Sequence, residues 1–171
     1  MVISMQISYW MHAVDANGNE TLLIDLVKAC ARYSLVSEGQ QLHSVILKND
    51  FDAHAFVQAT VIHFYGCSGL NGLAQIQFRF SDKSHIASWN ALLAGLLRRD
   101  LIHEAQQLFD DMPERDTISC GTFISGYVLN GCSTWHRSSF FFMLNAGVDP
   151  NEITVASALS AVSESATFGS R

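Results

Sequence analysis

The chain has 171 residues, of which 49% are hydrophobic, and this is enough apolar surface to build a core and to exclude a disordered chain. Ten Lys and Arg residues against 16 Asp and Glu residues give a net charge of -6. Because there is no global positive field, strong non-specific binding to nucleic acid is excluded, and the absence of a long apolar run predicts no membrane-spanning segment.

An internal repeat organises the sequence. Apolar residues recur in the same helical setting at steps of 35, 31, 31 and 35 residues. They are Val27, Ile62, Leu93, Ile124 and Leu159. A period of this length is typical of stacked helical hairpins, in which each unit buries its apolar face against a neighbour, so we predict an all-α solenoid. The predicted units are residues 20–54, 55–85, 86–116, 117–151 and 152–171.

The chain opens with a segment, residues 1–19, that fits no repeat and is predicted to be a tail. It contains no Lys or Arg, so no Arg-rich transit peptide is visible. The first hairpin begins near Thr21, and Ser37 is predicted to cap its second helix. Helical spacing predicts the buried face of the first helix. That face consists of Leu22, Leu26, Ala29, Cys30 and Tyr33.

The second and third hairpins come next. The second is predicted as helices at 56–65 and 73–80, joined by a turn that starts at Gly66. In the third, apolar residues at helical spacing from Trp89 onward predict a helix with one apolar face, and its partner helix ends at Pro113, which lacks an N–H. One small residue in each of three hairpins predicts a close approach of two helices. These residues are Gly39, Ala74 and Ala105.

The last two units are less regular. Residues 117–124 are rich in β-branched and aromatic side chains, which taken alone favours a strand. Since Ile124 corresponds to Leu93 in the repeat, we predict a helix instead. Residues 152–171 have room for one helix only, so they are predicted to be a truncated repeat, and we expect the chain to be a fragment.

Residues that commonly carry chemistry are scattered. The cysteines, at positions 30, 67, 120 and 132, form no Cys-x-x-Cys pair and are interpreted as free thiols in a reducing compartment. The histidines are interpreted as isolated residues without a second ligand at i+3 or i+4, so we expect no metal site and no cofactor. Acidic residues near Asp110 are interpreted as a solvated helix face. We predict that the chain is not an enzyme.

Three segments carry a family resemblance. They are Glu38–His43, Ser88–Gly95 and His103–Asp116. All three resemble pentatricopeptide repeat proteins of land plants, and the mixture of 31- and 35-residue units resembles the subclass that alternates long, short and standard repeats. The resemblance implies a right-handed superhelix. In these terms 20–54 is a long-type repeat, 55–85 a degenerate short repeat, 86–116 the best-matched short repeat, and 117–151 a standard repeat with a degenerate second helix.

The resemblance also implies a function. It is that of a sequence-selective adaptor for single-stranded RNA in editing or processing of transcripts, in mitochondria or chloroplasts, with editing proteins as further partners. One base is read per repeat. In the best-matched repeat, Asn90 and Asp116 are the residues that would read a base, and this pair implies uridine. Ala87 and Ile118 would sandwich the ring, and Gly121 with Asn151 forms a weaker base-reading pair.

Alternatives remain open from the sequence alone. Asn90 is also consistent with a solvent-facing residue, and Asp116 with a cap of the following helix. Hairpins of this kind also form protein-interaction scaffolds similar to tetratricopeptide repeats, and a degenerate fragment without function is a third interpretation. The first-helix positions that would separate RNA binding from peptide binding favour neither class strongly. They are Ile24, Ala59, Asn90, Gly121 and Ala156.

Overall fold

A computed structural model describes residues 19–130, together with positions 152, 155 and 156. Residues 19–130 form seven α-helices and contain no strand. The helices are α1 (Glu20–Tyr33), α2 (Val36–Lys48), α3 (Ala55–Cys67), α4 (Asn71–Phe80), α5 (Ile86–Arg98), α6 (Ile102–Asp110) and α7 (Thr117–Leu129). A short 3-10 turn, Phe51–Ala53, precedes α3. The predicted all-α fold of helical hairpins is confirmed. This includes the helix predicted at 117–124, where the composition alone favours a strand.

The described residues fall into two compact units that divide inside α5, between Gly95 and Leu96. In the first unit α1 packs against α2 and α3, and α3 packs against α4. In the second unit α6 packs against α7. Within residues 19–130, none of the helices is both long enough and apolar enough to cross a membrane. The predicted second helix of 117–151 lies outside the described residues, as does nearly all of the tail at 1–19.

Each of three hairpins turns in the same way. The turn contains one residue in the left-handed region: Ser34 (φ 56°), Gly69 (φ 77°) and Asp100 (φ 59°). A leucine comes directly after it, and its N–H donates to the carbonyl five residues earlier. These bonds are Leu35 to Cys30 (3.0 Å), Leu70 to Tyr65 (2.9 Å) and Leu101 to Leu96 (3.0 Å). This bond closes the C-terminal end of a helix. The turn therefore recurs at the 35- and 31-residue steps of the sequence.

A small residue lies four positions after each turn leucine. Its N–H donates to the leucine carbonyl at 3.0 Å in all three hairpins, so it occupies the first turn of the second helix. These residues are Gly39, Ala74 and Ala105, all buried. A Cβ atom on Gly39 would overlap the ring of Phe64, which is completely buried on α3. The predicted close approach at Gly39 is confirmed, because no larger side chain fits there without moving Phe64.

Neighbouring first helices touch through glycine. A Cβ on Gly66 would lie 2.7 Å from the Cα of Gly95, so the backbones of α3 and α5 are in contact in the first unit. The positions 31 residues further on, Leu97 and Gly126, meet in the second unit, where a Cβ on Gly126 would lie 2.7 Å from the Cβ of Leu97. The prediction of a turn starting at Gly66 is wrong, because this glycine is helical and provides the room for α5.

Two predictions for the first hairpin are also wrong. The helix α1 starts at Glu20, with the side chain of Asn19 accepting from the N–H of Thr21, and its packing against α2 and α3 decides which residues face inward. Tyr33 is exposed, whereas Leu23 and Val27 are buried in place of the predicted Leu22. The buried face consists of Leu23, Leu26, Val27 and Cys30. Ser37 caps nothing, since α2 already begins at Val36, directly after the turn leucine.

The left-handed turn leads to a first prediction. Replacing Gly69 by Ala should lower the free energy of unfolding by about 1 kcal/mol, because an L residue at this positive φ crowds its own carbonyl. The matched control is Gly72→Ala, three residues later, where an added Cβ meets nothing within 4 Å. The control should leave stability unchanged or raise it by up to about 1 kcal/mol through helix propensity. Urea unfolding of both variants measures the difference, and equal shifts would contradict the turn geometry.

The helix contact leads to a second prediction. Gly95→Ala should destabilise the chain by about 1–3 kcal/mol, because the new methyl group meets the backbone of Gly66 and no side-chain rotation relieves the overlap. Thermal unfolding followed by circular dichroism measures this change. An unchanged midpoint would show that α3 and α5 do not lie in contact at these glycines.

A buried polar pair joins α2 to α3. The Nδ1 atom of His43 lies 2.8 Å from the hydroxyl oxygen of Tyr65, and the two rings meet edge to face. Burial lowers the pKa of His43 below its usual 6.5, and the carboxylate of Asp52 partly opposes this shift. The folded chain therefore holds the neutral imidazole.

A third prediction rests on this pKa. Because the unfolded chain takes up a proton at His43 more readily than the folded chain, stability should be complete above pH 6.5 and fall as the pH decreases from 6.5 toward the lower folded pKa. Unfolding by urea at about pH 7.5, 6.5 and 5.5, a range that spans the titration of an ordinary imidazole, measures the slope. His43→Asn should flatten it, whereas the exposed control His103→Asn should not; equal slopes in both would contradict the role of His43.

Candidate nucleic-acid interface

The second residue of each first helix recurs at the 31-residue spacing, and these residues form a row in the register of the sequence. In α3, α5 and α7 these residues are Phe56, Ala87 and Ile118. Phe56 is 70% exposed and Ile118 is 64% exposed, whereas Ala87 is partly buried. Large apolar side chains held at the surface by a helix start are suited to stack against a flat ring. The row therefore offers apolar contacts in both units.

Phe56 is a candidate residue that the sequence interpretation missed. Ala87 and Ile118 were identified through the family resemblance, and subtracting one further period of 31 from Ala87 leads to Phe56. The signal was present in the sequence, but the second hairpin was interpreted as a degenerate repeat. The structure places Phe56 at the same helix position as the two predicted residues.

Asn90 lies one turn after Ala87 on α5, and its side chain is partly buried in the first unit. A carboxamide both donates and accepts hydrogen bonds, so it suits a base edge. The corresponding positions in other hairpins differ in chemistry: Ala59 and Gly121 are buried and Ile24 is partly buried, whereas Ala156 is exposed. Among the described residues at this helix position, Asn90 is the one with a polar side chain.

The start of α5 is held in place from two sides. The indole N–H of Trp89 donates to the carbonyl of Lys83 at 3.0 Å, and the Trp89 ring meets Phe78 edge to face, with ring centroids 4.8 Å apart. These contacts fix the residue directly before Asn90. The backbone that carries Asn90 is thus anchored by an aromatic pair and a hydrogen bond.

Asp116 caps α7 in the second unit. Its Oδ1 atom accepts from the N–H of Ser119 at 2.7 Å, and the N–H of Asp116 donates to the hydroxyl oxygen of Ser119 at 2.8 Å. These reciprocal bonds satisfy the start of a helix. This supports the alternative, left open by the sequence, that Asp116 caps the following helix. A carboxylate accepts about four hydrogen bonds, so the cap is compatible with a further contact to a base.

Arg115 secures the turn that carries Asp116. Its Nε donates to the carbonyl of Phe109 at 3.0 Å, its Nη2 donates to the carbonyl of Asp110 at 2.8 Å, and its guanidinium lies 5.0 Å from the centroid of the Phe109 ring. Phe109 in turn stacks on Phe123 of α7, with ring centroids 4.1 Å apart. The position of Asp116 is thereby tied to the core of the second unit.

The weaker predicted pair lies only in part within the described residues. Gly121 is buried on α7 and has no side chain to donate or accept. Asn151 lies outside the described residues. Asn90 belongs to the first compact unit, and Asp116 and Ile118 belong to the second. The structure therefore describes the surroundings of Asn90 within the first unit and those of Asp116 and Ile118 within the second.

The interpretation of the histidines as isolated is wrong at two positions. His85 and Asp82 lie three residues apart, with Nε2 and Oδ2 separated by 3.7 Å. His63 and Cys67 lie four residues apart on α3, with Nε2 and Sγ separated by 3.4 Å. No group of three or more residues that could hold a metal occurs within 19–130. Cys30, Cys67 and Cys120 are free thiols, and burial raises the pKa of Cys30 to about 11 and also raises the pKa of Cys120, so these two are inert near neutral pH.

Comparison with known proteins decides the family of the best-formed hairpin. Residues 87–117 match the family model of the PPR repeat. This hairpin is similar to a pentatricopeptide repeat. The matched segment starts and ends one residue later than the predicted unit 86–116, and it contains Asn90 and Asp116.

Relatives over most of the chain are plant pentatricopeptide repeat-containing proteins of Arabidopsis thaliana. The mitochondrial protein At5g19020 is 40% identical over 146 residues, which cover 85% of this chain and 21% of that relative. The putative mitochondrial protein At3g13770 is 28% identical over 149 residues, 87% of this chain and 19% of that relative. The protein At1g59720, named chloroplastic/mitochondrial, is 36% identical over 87 residues, 51% of this chain and 14% of that relative. The chain thus spans about a fifth or less of these relatives.

Proposed function

We propose that this chain binds single-stranded RNA along the starts of its first helices, as part of a plant organellar protein that selects a site on a transcript for editing or processing. RNA binding in organelles, without catalysis of their own, is typical of pentatricopeptide repeat proteins. The observation that carries the proposal is the row of Phe56, Ala87 and Ile118 at one helix position, with Asn90 one turn further on in the matched repeat.

The roles within this row differ. Asn90 and Asp116 would read one base, preferentially uridine, through their amide and carboxylate, and Gly121 with Asn151 would contribute little discrimination. Phe56, Ala87 and Ile118 would contact base faces without regard to sequence, because every base has an apolar face. Mitochondria or chloroplasts are the proposed location, and editing proteins are the proposed further partners.

Electrostatics limits the strength of this binding. The net charge of -6 opposes the approach of a phosphate backbone, so affinity must come from stacking and from local hydrogen bonds. A peptide-binding scaffold would need polar or basic side chains at the helix position that Asn90 occupies in α5. The corresponding residues Ile24, Ala59 and Gly121 supply none. These three positions supply no base-reading group either, so the proposal of weak, base-dependent RNA binding rests on Asn90 and on the exposed side chains of Phe56 and Ile118.

A fourth prediction separates base reading from stacking. Short single strands that differ at one base should bind with a preference for uridine of about fivefold, the worth of one net hydrogen bond of about 1 kcal/mol. Asn90→Ala should abolish this preference, whereas Phe56→Ala should weaken all strands by about 1–3 kcal/mol and keep the preference. Fluorescence anisotropy of labelled strands measures both effects.

The control for this experiment is Gln75→Ala, which removes an exposed amide from α4, away from the row. It should change neither affinity nor preference. Equal binding of all four bases by the unaltered chain, or a preference that survives Asn90→Ala, would refute the proposed role of Asn90.

A further inference from the structure

One side of α4 exposes an apolar stripe in the first unit. Leu73, Ile76 and Phe80 lie at i, i+3 and i+7 and are 37%, 45% and 82% exposed. Ala74 and Phe78, on the other side of the helix, are buried and pack the hairpin. The stripe is therefore not used by the hairpin to which it belongs, and an exposed apolar patch of this kind commonly marks a binding surface.

The stripe is specific to this hairpin. The positions that correspond to it one repeat earlier and one repeat later are polar or charged, except for Val45. They are Glu38, Gln41 and Val45 before it, and Glu104, Gln107 and Asp111 after it. Stacking of the repeats therefore does not require apolar residues at these positions, because neighbouring units do without them.

The segment of the sequence that carries the stripe has a net positive charge from one arginine. Residues 53–81 contain no Asp or Glu, and Arg79 is their single Lys or Arg, in a chain with a net charge of -6. Arg79 is exposed three residues after Ile76, and its guanidinium forms no hydrogen bond or ion pair with residues 19–130. The nearest acid in sequence, Asp82, accepts instead from the N–H of Ser84 at 2.9 Å.

We propose that this α4 face, formed by Leu73, Ile76, Arg79 and Phe80, docks an acidic amphipathic helix of a partner protein. Apolar side chains at helical spacing fit the apolar side of a second helix, and an aromatic residue beside an arginine is the usual composition of a binding hot spot. Carboxylates along the partner's edge complement Arg79. The face lies on α4, so the inference is independent of RNA binding at α3, α5 and α7.

Charge distinguishes this partner from two others. A second copy of the chain also carries -6, and like charge opposes its approach. An anionic membrane is held by clusters of about four to eight basic residues, whereas this face presents Arg79 and, three residues past Phe80, Lys83. A protein helix with acidic flanks matches both the apolar stripe and its single guanidinium.

Gly72 provides a variant that tests the face without disturbing the fold. It lies one turn before Ile76, and a Cβ added there meets nothing within 4 Å. Gly72→Glu therefore places bulk and negative charge on the α4 face, and an acid in the first turn of a helix favours that helix. The matched control is His103→Glu, which changes the exposed second residue of α6, 31 positions later.

The experiment uses the full chain and two synthetic helical peptides with the same leucine face, one with Glu on its flanks and one with Lys. We expect the Glu peptide to bind about tenfold more tightly than the Lys peptide in fluorescence anisotropy. Gly72→Glu should weaken the Glu peptide about tenfold without lowering the unfolding midpoint, and His103→Glu should leave binding unchanged. RNA affinity should not change with Gly72→Glu beyond the effect of His103→Glu.

Three results would overturn the proposal. The first is equal binding of the two peptides, or an equal loss in both variants. The second is sedimentation with phosphatidylglycerol vesicles that Gly72→Glu abolishes while neither peptide binds, which would assign the face to a membrane. The third is a dimer in light scattering that Gly72→Glu dissociates, again without peptide binding, which would assign the face to a second copy.

Discussion

Close approach of helices at small residues is the constraint on which the rest of the structure depends. Gly39, Ala74 and Ala105 each lie where the second helix of a hairpin begins, and the turn leucine before each bonds back to the preceding helix. The left-handed residue before the leucine reverses the chain within one position. Because this turn is short and fixed, each second helix starts at a defined point, and the length of the repeat is determined by the second helix and the link after it.

The same constraint positions the candidate interface. Contact between Gly66 and Gly95 brings the C-terminal end of α3 against the C-terminal part of α5, and Gly126 repeats this contact against Leu97 in the second unit. Packing along the bodies of the first helices leaves their starts exposed, with Phe56 and Ile118 at the surface.

The sequence predicted the helices better than their faces and ends. The 31-residue step correctly predicted a helix, α7, for the segment at 117–124, although its composition favours a strand. Ile124 corresponds to Leu93 in the repeat, and both residues are completely buried. The predicted turn at Gly66 was wrong because the preference of glycine for turns does not show that a neighbouring helix needs the room. The predicted cap at Ser37 was wrong because the preference of serine for helix starts does not show that the turn already ends at Leu35. The face of α1 was misplaced because spacing alone does not show on which side α2 and α3 pack, and that side buries Leu23 and Val27.

The candidate site was predictable in part. Ala87, Asn90, Asp116 and Ile118 were identified from a resemblance to a family, and Phe56 could have been identified from the same register. Two features were beyond the sequence: the reciprocal bonds between Asp116 and Ser119, and the exposure of the α4 stripe. Both depend on side-chain directions that packing determines. The spacing of apolar residues predicts a stripe, but it does not show which side of the helix packs against a neighbour.

The most direct test of RNA binding along the first helices is photo-crosslinking with thiouridine-substituted single strands, combined with mass spectrometry of the crosslinked peptides. We predict crosslinks at the starts of α3, α5 and α7, on or beside Phe56, Asn90 and Ile118, with the 31-residue spacing of the repeat. Crosslinks confined to α2, α4 or α6, or spread without that spacing, would contradict the assignment of the interface.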